Sequence, residues 1–316
     1  MGTTAGIATA ADSAPEPVTW SVSPSDENGP DGRSWVELSV EPGSSVTERL
    51  AVRNLGAETA TFTLTAADGY FTKTGRFNML QSDEESVDAG TWIAVEESVT
   101  IGAGETVVLP FVVTVPENAT PGDHPAGIAA SVTAVGTTTD GTRVGVESRV
   151  GFRVITQVGG ELAPAISLSD VSATYTPSWN LFTPGHITVT YTATNDGNTQ
   201  LSFVDELSGA ATPRGDVFPG ESRTVTSEPV DAWPLGVVPM DVALTATVPS
   251  DPGIQVPTPR ETLSVVAVPY LHLAALALLA FAVAAIVFVR RRNAASVERR
   301  IEQARAEGRR EQSVLR

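Results

Sequence analysis

Apolar and polar positions alternate along most of this chain, and then the alternation stops. Between residues 18 and 268, hydrophobic residues recur at every second position in short runs rich in Val and Thr, and Gly, Pro, Asn and Asp interrupt them. A period of two puts successive side chains on opposite faces of an extended backbone, so each run predicts a strand, and no stretch of helical period precedes residue 270. The expected strands of the first half cover 35–40, turned by Pro42-Gly43, then 47–54 and 59–67, read as a hairpin around Asn54-Leu55-Gly56 that ends at Asp68-Gly69. Residues 71–90 read as a looser, acidic surface loop. Strands are expected next at 92–95, 98–101 and 105–115, then a long connection over 116–124, and strands at 127–135 and 143–158 joined by Asp140-Gly141. Gly159-Gly160 and Pro164 mark a boundary, and a second set of strands covers 166–175, 187–195, 200–207, 222–227, 237–248 and 262–268. This spacing predicts an all-β fold of two tandem Ig-like antiparallel β-sandwiches, 18–158 and 161–268.

The two halves echo each other. Asn54-Leu55-Gly56 is followed by Phe62, and Asn195-Asp196-Gly197 by Phe203, at the same offset. Pro42-Gly43 and Pro184-Gly185 precede them, and Gly104-Glu105 and Gly220-Glu221 each open a later strand. Asn and Gly tolerate positive φ, which suits a hairpin turn, and the aromatic residue then returns over the core.

The run at 270–289 carries no charged residue, and its one ionisable group, His272, lies at its start. Twenty residues at about 1.5 Å each span roughly 30 Å, the thickness of a bilayer's hydrocarbon core, where only a helix pairs every backbone group. A buried core helix would show a polar face and would not end in three arginines. Arg290, Arg291 and Arg292 therefore read as a membrane stop-transfer signal on the cytoplasmic side, with Tyr270 as the aromatic anchor opposite. Residues 290–316 hold nine arginines and four glutamates, a net of +5, which leaves −22 for residues 1–289 of a chain at −17. A basic tail suits an anionic inner leaflet and an acidic ectodomain does not. The expectation is a single-pass cell-membrane protein, N-terminus outside, with membrane lipid as a partner and a short basic cytoplasmic tail. In that tail Val297, Ile301 and Ala304 form a thin helical stripe.

Residues 1–17 read as the remnant of a signal peptide and a spacer. They lack a basic and an apolar region, yet Ala8-Thr9-Ala10 precedes Asp12 as a cleavage site would, which places the true start upstream of Met1. Cysteine is absent, so each sandwich relies on its own apolar core. Lys73 is the only lysine and limits any Lys–Asn isopeptide cross-link to one.

Candidate chemistry is sparse. The acidic balance argues against nucleic acid as a partner. No H-E-x-x-H, G-x-S-x-G or phosphate-binding glycine loop is present, and no catalytic, cofactor-binding or metal-ligating residue is assigned. Asp123-His124 resembles a catalytic pair, but neighbours on an extended chain point to opposite faces, and His124 reads as structural or solvent-facing. The acidic groups Asp26, Glu27, Asp31 and Asp83, Glu84, Glu85, Asp88 lack the spacing of a calcium loop. Of Trp20, Trp35, Trp92, Trp179 and Trp233, most are expected to fill cores, with one left for a ligand.

Val18-Thr19-Trp20-Ser21-Val22-Ser23-Pro24, Asn54-Leu55-Gly56, Gly69-Tyr70, Trp92-Ile93, Val115-Pro116-Glu117-Asn118-Ala119-Thr120-Pro121-Gly122-Asp123-His124 and Gly127-Ile128 resemble the WxL-interacting surface proteins of Gram-positive bacteria. The resemblance covers about residues 18–158, the family's peptidoglycan-binding domain; the Pro-Gly-Asp-His segment and its context are fairly specific, whereas Asn-x-Gly is shared by many Ig-like domains. It implies a non-enzymatic cell-wall scaffold whose first domain contacts peptidoglycan and whose second contacts a secreted or surface protein. The other function left open is a receptor or accessory subunit signalling through the cytoplasmic tail.

Overall fold

The computed structural model describes residues 18–72, 75–137 and 143–314. The signal-peptide remnant, Lys73, the Asp140-Gly141 turn and Arg316 lie outside the described residues. The chain is mostly β-sheet and ends in one helix. It forms two compact units: the described residues up to Asp170 with Tyr191–Val225 and Asp241–Glu261, and Val171–Thr190 with Thr226–Met240 and the chain from Thr262 onward.

In the first half, one sheet orders the strands Gly29–Pro30, Trp20–Asp26, Ser45–Asn54, Thr106–Thr114 and Ile93–Val95. The second orders Val36–Val40, Arg143–Val158, Gly122–Thr137, Ala60–Phe71 and Phe77–Met79, with Ser98–Ile101 also paired to Ala60–Phe71. Alternate residues of both sheets enclose a single core that includes Leu50, Val52, Phe111 and Val113 from the first and Phe62, Ile128, Val154 and Val36 from the second. The pairing of Val36–Val40 with Arg143–Val158 is parallel, against the expectation of a purely antiparallel fold.

Two expectations about connections fail. Ser45–Asn54 and Ala60–Phe71 are not a hairpin, because the first pairs with Trp20–Asp26 and Thr106–Thr114 while the second pairs with Gly122–Thr137 in the opposite sheet. Asn54-Leu55-Gly56 is therefore a corner from sheet to sheet. The long connection at 116–124 is also shorter than expected, since the strand Gly122–Thr137 already begins at Gly122 and pairs residue by residue with Arg143–Val158.

In the second half, Ile166–Thr176, Gly185–Asn195 and Ser222–Thr226 make one sheet, with Val230–Ala232 beside Gly185–Asn195. Ala210–Val217, Leu201–Leu207, Gly236–Thr247 and Arg260–Ala267 make the other. Ala210–Val217 escapes sequence reading because Pro213 and Gly215 break its pattern, which an edge strand with a bulge at its partner's Phe203/Val204 step tolerates. Here too the Asn corner, Asn195-Asp196-Gly197, joins strands of opposite sheets.

The C-terminal helix Tyr270–Val314 has 45 residues. Its apolar stretch is long enough to cross a membrane, and no protein covers its most apolar window. The helix does not stop at the arginines but runs on through the tail.

Candidate functional site

The two corners explain the internal echo. Asn54 is fully buried; its amide donates to Glu58 O at 2.7 Å and Ile101 O at 3.0 Å, and its Oδ1 accepts from Gly56 N at 2.9 Å. Asn195 repeats this, donating to Thr199 O at 2.8 Å and Val217 O at 3.0 Å and accepting from Gly197 N at 3.0 Å. The backbone N–H of each Asn donates to the Glu of its half, Glu105 O and Glu221 O, both at 3.0 Å. Positive φ belongs to Gly104 and Gly220, and not to the Asn or Gly of either corner. The Asn is thus a buried hydrogen-bonding hub, which corrects the hairpin-turn reading.

The segment Pro121-Gly122-Asp123-His124 splits its residues between two tasks, because strand geometry sends Asp123 and His124 to opposite faces. His124 Nδ1 lies 2.8 Å from the Asp88 carboxylate and its Nε2 lies 2.8 Å from Thr120 O. These two close neighbours are acceptors, an arrangement that favours the charged imidazole, in which both ring nitrogens donate. Burial works against that charge, but the Asp88 carboxylate and the Thr120 carbonyl outweigh it and raise the His124 pKa above its ordinary value. Asp88 is itself held by Asp68, whose carboxylate accepts from Val87 N, Asp88 N and Gly90 N at 2.6–2.9 Å. His124 is structural, a clamp between the 116–124 connection and the 87–92 turn, with Trp92 packed 4.7 Å from its ring.

Asp123 faces the other way and is buried. It accepts from Thr199 Oγ1 at 2.5 Å, Gln200 N at 2.6 Å and Gln157 Nε2 at 3.0 Å. Its own N–H donates to Asn198 O at 2.8 Å. Gly122 adopts φ of 125° with Asn198 O only 1.8 Å from where a Cβ would stand, so no other residue fits there. Three donors hold the Asp123 carboxylate in place, which fits a structural role at this joint.

Beside this joint lies a half-open groove of about 190 Å³, lined by Glu37, Leu38, Ser39, Ile155, Gln157, Gln200 and Ser250 among others. Glu37, Leu38 and Ser39 come from the edge strand Val36–Val40, and with them the lining combines the amides of Gln157 and Gln200 and the Ser250 hydroxyl with the apolar Leu38 and Ile155. Such a lining can hydrogen-bond a polar ligand carrying an apolar portion. Sequence reading misses it, since its residues come from stretches far apart in the chain.

Arg290, Arg291 and Arg292, expected from the sequence to act as a stop-transfer signal, are exposed on the helix just beyond the apolar stretch. At about 100° per residue, three in a row distribute positive charge around most of the helix circumference. The first acidic group is occupied structurally: Asp26 caps its own turn, Asp31, with Glu48, holds Arg33, and Glu27 holds Arg49; in the second, Glu84 accepts from Gln81 N and Asp88 holds His124. Among the described residues no group of three or more His, Asp or Glu is placed to hold a metal ion. His186 pairs with Asp231 at 2.9 Å on the surface. Of the tryptophans, Trp20 and Trp92 belong to or pack against the core, Trp35 lies under Arg153, and Trp179 is 90% exposed.

No protein-family model matches the chain, and no curated protein matches it. Among solved structures it is similar to a chain of a chaperone–tip adhesin complex of CFA/I fimbriae biogenesis, with 8% identity over 77% of this chain and 98% of that one and a TM-score of 0.38. It is also similar to the CupB2 chaperone of Pseudomonas aeruginosa, with 14% identity over 75% of this chain and 99% of that one and a TM-score of 0.33. The E. coli chaperone DraB gives 12% identity over 78% of this chain and 99% of that one, with a TM-score of 0.35.

Proposed function

We propose that this chain is a non-enzymatic, single-pass surface protein made of two tandem Ig-like sandwiches on a membrane helix, and that it links the cell membrane to the cell wall. In this reading the helix crosses the bilayer at 270–289 with the acidic β-modules outside and Arg290, Arg291 and Arg292 inside, and the partner is peptidoglycan or a surface protein. The observation that carries it is the uncovered helix: Leu278, Phe281 and Phe288 are 71%, 75% and 64% exposed, apolar surface that only lipid or another apolar surface can satisfy. The groove beside Asp123 supports a binding role, and saturation of Asp123 and His124 by structural partners weighs against a catalytic one. Because residues 1–289 carry −22, attraction to anionic wall polymers is ruled out as the driving force, and binding rests on hydrogen bonds and stacking.

Two measurements test this. Membrane fractions washed with alkaline carbonate should retain the chain, and protease added to intact protoplasts should digest the β-modules; release by carbonate, or protection of those modules, refutes the anchor and its orientation. The full chain in mild detergent should co-sediment with purified peptidoglycan, weakly dependent on salt, and Ser250→Trp, which fills the groove, should reduce it. Sedimentation no greater than that of an unrelated Ig-like protein refutes the wall link. The continuous helix favours a second reading, a tail that contacts a cytoplasmic partner, since about 25 residues extend past the span. Deletion of 296–316 that abolishes function while surface display persists would select it.

A further inference from the structure

Two loops flank the first turn of the membrane helix. His272 Nε2 donates to Leu181 O at 3.0 Å, so the 177–184 loop is fastened to the helix start. Pro234 lines the same small cavity as Pro177, Asn180, Pro269 and Tyr270, which brings in the 233–237 segment. Both loops present large apolar residues outward: Trp179 is 90% exposed, Phe182 85%, Leu235 85% and Trp233 47%. The 177–184 loop is not loose, because Ser178 Oγ bonds Thr183 Oγ1 at 2.6 Å and Asn180 Oδ1 accepts from Phe182 N at 3.0 Å. A built loop thus holds its aromatic residues in water, which costs free energy unless something covers them.

Charge identifies what covers them. Residues 1–289 contain 33 of the chain's 37 carboxylates, yet 171–195, 232–240 and 262–289 contain none, nor any Lys or Arg. The residues around the helix start, including Tyr175, Pro177, Asn180, Pro234 and Pro269, all lie in these charge-free segments, and the adjoining Asp231 is paired with His186. Trp and Tyr favour the headgroup level of a bilayer, and Tyr270 marks that level on this helix.

We propose that Trp179, Phe182, Trp233 and Leu235 form a collar that inserts into the interfacial region of the leaflet entered at Tyr270, so that the last β-module docks on lipid rather than swinging from a tether. This rests on the membrane reading of the helix. The test uses the full chain reconstituted into phosphatidylcholine–phosphatidylglycerol vesicles, with phosphatidylcholine brominated near the headgroup end of its acyl chains as quencher. With Trp179 and Trp233 two of five tryptophans, about two-fifths of the emission should be quenched, falling to about one-quarter in Trp179→Phe, which keeps one quenchable tryptophan of four, and rising to about one-half in Trp20→Phe, which keeps both. Vesicles that float with carbonate-resistant chain but leave Trp179 unquenched refute the collar and spare the anchor. Unquenched emission that shifts with protein concentration refutes it in favour of a second copy as the cover. A chain that fails to float with the vesicles refutes the anchor and the collar together.

Discussion

Replacing Asn54 distinguishes a buried hub from a turn residue. Truncation to Ala removes two donors and one acceptor, which strands Glu58 O, Ile101 O and Gly56 N. A buried backbone group left without a partner costs about 1–3 kcal/mol. Only the bond to Ile101 O is fully buried; the other two lie near the surface, where water can replace the side chain. One full penalty and two discounted ones amount to about 2–4 kcal/mol, a large share of the roughly 5–15 kcal/mol that holds a domain together. Asn54→Asp should be at least as damaging, because a carboxylate would replace the amide that faces two carbonyls.

The deciding variant is Asn54→Gly. Were Asn54 chosen for positive φ, glycine would be neutral or better; as a hub, glycine loses all three bonds and costs as much as alanine. Urea unfolding of the full chain in detergent can be read by tryptophan emission, and hydrogen exchange localises the loss to peptides spanning Asn54 and Ile101. Trp20 is a good local reporter, since it packs 5.7 Å from Phe62 and donates to Ala130 O. Stability of Asn54→Gly within about 0.5 kcal/mol of the parent would refute the hub. The same pattern is expected at Asn195, with peptides around Val217 as the reporter.

The remaining predictions concern charges. His124 binds its second proton more tightly folded than unfolded, so its stabilisation is complete below its ordinary pKa of 6.5 and fades as pH rises through the raised folded value. Urea midpoints measured from pH 6 upward should fall in the parent, and that fall should be absent in His124→Gln; equal slopes would refute the charged clamp. Asp205 is fully buried, accepts Tyr191 OH at 2.7 Å and is gripped by Arg214 Nε and Nη2 at 2.9 Å each. Asp205→Ala should cost about 3–5 kcal/mol, while Asp205→Leu combined with Arg214→Met recovers a large part of it, as a double-mutant cycle by urea unfolding would show. Asp123→Ala strands three donors at once and should accelerate hydrogen exchange at the Gln200 amide while the Asn54 corner keeps its protection.

Strand positions are legible where Val and Thr alternate without interruption: Arg143–Val158 has the limits expected from its pattern, and Ile166–Thr176 and Leu201–Leu207 fall within one residue of theirs. Partners are not legible. Alternation at 47–54 and 59–67 reports that one face of each strand is buried, and this holds equally for a hairpin and for two strands on opposite sides of one core. The pattern makes Trp92 the start of a strand, whereas Ala89–Trp92 is a 3-10 turn fixed from outside by the Asp68 carboxylate, a contact between residues that local periodicity does not link. The helical tail is more readable, since Ala, Glu, Arg and Gln after the arginines are strong helix formers and no proline comes after Pro269. The groove is invisible for the same reason as the sheet partners. It assembles from Glu37, Gln157, Gln200 and Ser250, and nothing in the spacing of those residues brings them together.

The repeated corner is built alike in the two halves but put to different further use. In both, the Asn hub, the Gly two residues on and the buried Phe at the same offset do the same work, so selection for a sheet-to-sheet crossing accounts for all of them. The loops downstream of the two hubs differ. In the second half the corner loop supplies Asn198, Thr199 and Gln200 to the Gly122-Asp123 joint, and the approach is so close that only glycine fits at 122. In the first half the corresponding loop leaves Leu55 51% exposed. Glu221 adds a second tie, its carboxylate accepting from Phe71 N while Phe71 stacks 4.5 Å from Phe218; Glu105, its counterpart in the first half, serves the corner through its carbonyl. The corner loop of the second half thus also serves as a joint, and that of the first half does not. Gly122 and Asp123 of the Pro-Gly-Asp-His segment hold that joint, while His124 on the other face holds Asp88 and the Thr120 carbonyl.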